Sequence, residues 1–96
     1  MTLDPAAARR HLETTADLVV VHDVMAEALS QLRGLHSRAG ASHPRGSAEY
    51  AWSLAQMVAV DQFRDAVDVT DRGAMLAALD RATAELRRLN AQTTAA

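Results

Sequence analysis

The sequence predicts an all-α fold: a three-helix antiparallel bundle of one long helix and two shorter ones, completed by homo-oligomerisation. Three observations predict it. Apolar residues recur at the three- and four-residue steps of a helix face in two long stretches. One segment, residues 37 to 47, interrupts them with two glycines, three serines and a proline. The apolar content, 49% of 96 residues, is small in size, with 21 alanines against three aromatic residues, Tyr50, Trp52 and Phe63. Small side chains suit helices that approach closely, and a chain of this length builds a single domain, 1–96.

The first helix is expected from about residue 5 to residue 36. Asp4 is a natural N-cap, and Pro5 at the first helical position loses nothing by lacking an amide hydrogen. Leu18, Val21, Met25, Ala28, Leu32 and Leu35 then follow a 3-4-3-4-3 spacing, a heptad seam that Val20, Val24 and Leu29 widen. The run Leu18 to Val21 alone would suit a buried strand, but it sits in about 30 residues of helical period without a turn signal, which resolves it as helix.

Residues 37 to 47 form the expected loop. Gly40 supplies a left-handed helix C-cap there, and Pro44 stops any helix running through. Ser47 then caps a second helix over about 48–67, with Glu49 in the first turn where an anion suits the helix dipole. Its apolar residues fall on two sides, Tyr50, Leu54, Met57 and Val58 on one and Trp52, Ala55, Ala59, Phe63 and Ala66 on the other. A helix apolar on two sides is expected to be packed on two sides, so this element is placed at the centre. Asp68 or Thr70 caps a third helix over about 71–90, whose seam is Met75, Leu79, Ala82, Leu86 and Leu89.

Lengths carry the assembly expectation. At 1.5 Å per residue the first helix is about 48 Å long and the others about 30 Å, leaving part of the long seam uncovered. Such a stripe marks an association surface. The expected interface is Leu18, Val21, Met25, Leu32 and Leu35 with Trp52 and Phe63, and the expected function is a small non-enzymatic interaction module, a homodimer or an adaptor for a protein partner.

Composition excludes several classes. With no cysteine there is no disulfide scaffold, no thiolate nucleophile and no zinc or iron–sulfur site that needs cysteine sulfur. The net charge of −2 argues against non-specific nucleic-acid binding, which needs a positive surface. All ten basic residues are arginine, the usage of a GC-rich genome. The longest apolar run is six residues, far short of the roughly 20 that span a bilayer, and Met1-Thr-Leu-Asp-Pro5 carries an acid where a signal peptide carries bases, so the expected location is the cytoplasm with no membrane partner.

Histidine and carboxylate positions are where chemistry would sit, although they assign no catalytic residue, cofactor or metal. His22, Leu29 and His36 share a stripe at seven-residue intervals flanking the seam, which favours a structural role at the edge of an interface; His43 lies in the loop. No residue three or four positions from His22 is a strong ligand, since those are Leu18, Val19, Met25 and Ala26. Asp61, Asp65 and Asp68 lie on one side of the second helix, a spacing that suits a hard cation if other helices add oxygens, or else a charged face compensated by Arg64 or Arg72.

Two resemblances follow. His36-Ser-Arg-Ala-Gly40 with Gly46 is similar to the start of the histidine phosphotransfer motif, an exposed helical histidine followed by glycines at the fourth and tenth positions; it implies a phosphorylated His36, while Ala39 stands where that family has lysine and Pro44 where its helix continues. The size and central loop also resemble the small helical-hairpin substrates of type VII secretion, with Trp52-Ser53-Leu54 where those proteins have Trp-x-Gly.

Overall fold

A computed structural model describes residues 4–95, which form four helices: α1 (Pro5–Thr14), α2 (Leu18–Ala41), α3 (Ala48–Ala66) and α4 (Arg72–Ala95). The all-α class holds. The three-helix count does not, because the expected long first helix is broken between Thr14 and Leu18.

Asp4 opens α1 by accepting the Ala7 amide at 2.8 Å, with Pro5 in the first turn. At the other end, the Ala16 amide donates to the His11 carbonyl at 2.8 Å, and Asp17 takes an extended conformation (ψ 151°) that ends one helix and starts the next. The guanidinium that holds this break comes from far along the chain. Arg72, at the start of α4, donates to the Leu12 and Ala16 carbonyls at 2.6 Å each. Helix C-terminal carbonyls lack intrahelical partners, and a cation is the favoured group beside them. A bidentate Arg9–Asp80 pair, at 2.8 and 3.0 Å, ties α1 to α4 a second time.

These contacts set the directions. Arg9 meets Asp80 and Leu12 meets Arg72, so α1 runs antiparallel to α4. Gly40 meets Ser53 and Arg33 meets Asp61, so α3 runs antiparallel to α2. Helix α4 then returns parallel to α2. The core is supplied by α2 (Val21, Met25, Ala28, Leu29, Leu32) and α4 (Met75, Leu76, Ala78, Ala82), with Val60 from α3 and Ala16 from the link. Helix α2 is therefore the centre, and the expectation that the second of the sequence's helices would take that place is corrected. Only a narrow stripe of α3, Ser53 and Val60, is buried against the rest.

The loop is also shorter than its composition suggests. Helix α2 runs through Gly40 to Ala41, leaving 42–47 as the connection, and no glycine among the described residues has a positive φ. Gly40 serves close approach instead of capping, since a Cβ there would stand 2.7 Å from the Ser53 Cβ and 3.2 Å from its Oγ. Gly40→Val is expected to cost about 1–3 kcal/mol by forcing α2 and α3 apart. Adding Ser53→Gly should return much of that loss in a thermal-melt double-mutant cycle, whereas strict additivity would show that the two residues do not collide.

Ser47 caps α3 by accepting the Tyr50 amide at 3.1 Å, as its position predicts. Asp71 caps α4 by accepting the Ala74 amide, in place of Asp68 or Thr70, which hydrogen-bond to each other in the preceding turn. Helices α2 and α4 have 24 residues each, so the length mismatch behind the expected homo-oligomeric completion disappears once α1 folds back. The molecule is nonetheless extended, 47 × 29 × 18 Å, with a radius of gyration of 15.4 Å against about 13 Å for a compact chain of this size.

Candidate functional site

Two features stand out: apolar side chains left outside the core, and a cleft where α2, α3 and α4 meet. On α3, Leu54 and Val58, one helical turn apart, are 44% and 53% exposed, while Trp52, whose ring meets His36 of α2, is 55% exposed. A second apolar group gathers at the start of α2, where Leu18, Val19 and His22 line a shallow groove with Val69. Of the residues that the sequence places at an interface, Val21, Met25 and Leu32 are buried in the chain's own core. Leu35 and Phe63 are half-buried, and Leu18 and Trp52 are exposed. Val21, Met25 and Leu32 are therefore covered by the chain's own helices.

The cleft has a volume of about 290 Å³. Its apolar wall is Leu29, Leu32, Ala59, Val60, Phe63 and Ala82, and its polar groups are His36, Gln56, Arg81 and Glu85. Because α3 and α4 pack on α2 and hardly on each other, they leave this space between them. Arg81 and Phe63 bridge it, the guanidinium carbon 5.0 Å from the ring centroid in cation–π geometry. Arg81 makes no ion pair among the described residues, whereas Glu85 is hydrogen-bonded to Arg88, which holds its carboxyl below the usual carboxylate range.

His36 is the central polar group. Only 5% of it is exposed, and its ring meets Trp52 edge-on with centroids 5.8 Å apart. Neither ring nitrogen hydrogen-bonds within the described chain, yet no buried polar atom is sealed without a partner, so the imidazole keeps its polar contact through the cleft that it lines. Burial pushes its pKa below 6.5, Glu85 opposes that shift, and Arg88 adds to it. The unfolded chain thus takes up this proton before the folded one does, and stability falls as the pH drops through 6.5. Melting temperatures at pH 8 and pH 5.5 should differ by less in His36→Gln than in the parent; an unchanged difference would place the titration elsewhere.

The remaining residues of the sequence reading are dispersed. His22 is half-buried with Nδ1 3.7 Å from the neighbouring Asp23 carboxylate, and His43 is exposed in the 42–47 loop. The burial of His36 differs from the exposed imidazole that the phosphotransfer resemblance implies. Asp61 takes Arg33 Nε on both oxygens, at 3.1 and 3.2 Å, with Arg64 at 3.6 Å; Arg64 also reaches Asp65 at 3.7 Å, and Asp68 closes a turn on Thr70. Ion pairs therefore compensate Asp61 and Asp65, Thr70 takes Asp68, and no group of three metal-ligating residues occurs among the described residues. Nor is any helix there long and apolar enough to cross a membrane.

Sequence reasoning missed Gln56, Arg81 and Glu85. The only signal was the i, i+4 spacing of Arg81 and Glu85, which any charged helix face carries. No protein-family model matches the chain, and neither a curated protein nor a solved structure matches it.

Proposed function

We propose that this chain is a small non-enzymatic helical interaction module that works as a homodimer or, failing that, as an adaptor for a protein partner. The observation that carries the reading is the outer side of α3, where Leu54 and Val58 stand exposed on a helix with only two buried residues. Apolar side chains held together on a rigid helix are the usual substance of an interface core. The extended shape supports the same reading, because a thin molecule leaves apolar surface that a second copy would cover.

Light scattering behind size exclusion tests it. The expected mass is twice 10.3 kDa at micromolar concentration, and Leu54→Glu with Val58→Glu should return the monomer with its helicity intact. A parent that stays at 10.3 kDa at every concentration rejects the homodimer. If that monomer's melting temperature also rises in the double glutamate variant, the face is an ordinary solvated surface with no selected partner, and the module reading falls with it.

A further inference from the structure

We infer that the cleft between α2, α3 and α4 binds a small monocarboxylate with a compact apolar body, its carboxylate taken by Arg81 and His36 and its hydrocarbon laid on Leu32, Val60 and Ala82. Burial and charge carry this independently of the interface. His36 is only 5% exposed, lines the cleft, and makes no side-chain hydrogen bond within the described chain. A buried imidazole without a hydrogen-bond partner is costly unless water or a ligand supplies one, so this is the position from which a bound molecule gains most.

The sign of the ligand follows from the charges around the cleft. Glu85 is hydrogen-bonded to Arg88 and feels Arg81 only through space, while Arg81 lies over the Phe63 ring, so two guanidinium groups stand against one carboxylate. With His36 neutral, one uncompensated positive charge remains, and a guanidinium beside an apolar wall recognises a carboxylate well. An ammonium would have to displace Arg88 from Glu85. A neutral molecule would leave Arg81 unanswered. The volume, about 290 Å³, is what roughly ten waters occupy in the liquid, which suits a compact acid and excludes a nucleotide or a long acyl chain lying wholly inside.

Cyclohexanecarboxylate is a suitable probe, with cyclohexylmethanol and cyclohexylmethylamine as its neutral and cationic counterparts. Trp52, the single tryptophan, touches His36 and reports occupancy by its fluorescence, with calorimetry as the second readout. The acid should bind saturably, and the alcohol and amine at least about tenfold more weakly. Arg81→Met is exposed enough to fold normally, keeps an unbranched chain over Phe63, and should reduce the acid to the level of the alcohol while leaving alcohol binding, helicity and mass unchanged. Equal binding of acid and alcohol, an Arg81→Met variant that binds the acid like the parent, or no saturable signal with the acid would each overturn the assignment. The mass measured in the same samples keeps this outcome separate from that of the interface.

Discussion

Met25→Ala is expected to lower stability by about 2–5 kcal/mol, the largest effect of any single truncation in the molecule. Met25 has no exposed surface and sits on α2, the helix against which both α3 and α4 pack. Truncation removes buried apolar surface and leaves a cavity that three helices would have to close together, and their other contacts oppose that collapse. Domains of this size have about 5–15 kcal/mol in all, so the upper end of the range approaches global unfolding. Urea denaturation followed by circular dichroism measures it. Val19→Ala is the control, 70% exposed on the same helix and expected within about 0.5 kcal/mol of the parent. A Met25→Ala loss no larger than the control's would mean that α2 is not the centre of the core.

Arg72→Met is expected to cost about 2–4 kcal/mol, with the damage concentrated at α1. The guanidinium makes two charge-assisted bonds, to the Leu12 and Ala16 carbonyls, each of a kind worth about 1.5–3 kcal/mol, less the screening of a half-exposed site. No residue of α1 is itself buried, so Arg72, the Arg9–Asp80 pair and half-buried Leu12 hold that helix down. Hydrogen exchange should show α1 amides losing protection while those of α2 keep it, because a weakly packed helix opens as its own unit. Arg72→Lys should not rescue, since one ammonium lacks the fork that reaches two carbonyls. Unchanged α1 protection in Arg72→Met would assign the break to the local sequence around Thr14 and Thr15.

Helical class, the starts of α1 and α3 and the buried face of α2 were legible because they are written in nearest-neighbour chemistry. Asp4-Pro5 and Ser47 satisfy their own helices' first amides, and the 3-4 spacing fixes that Val21, Met25, Ala28 and Leu32 share one side wherever that side goes. The same periodicity could not say what covers the side. A second copy and the chain's own α3 and α4 bury a seam equally well, and periodicity carries no information on that choice. The cleft was illegible for a similar reason, since His36, Gln56, Arg81 and Glu85 come from three helices and share no local pattern.

What the sequence by itself determined is therefore the set of helical segments downstream of Asp17, the Asp4 and Ser47 caps and the apolar stripe of α2. Tertiary structure decided three things. It tied the break in the first helix to α4, because the guanidinium that takes the Leu12 and Ala16 carbonyls lies 56 to 60 residues away. It kept Gly40 inside α2, because the approach of Ser53 leaves no room for a Cβ. It also moved the centre of the fold from α3 to α2. Two-sided apolarity states how much surface a helix offers, whereas burial depends on which neighbours the loops allow to reach it, and here α4 returns along α2 and leaves one side of α3 uncovered.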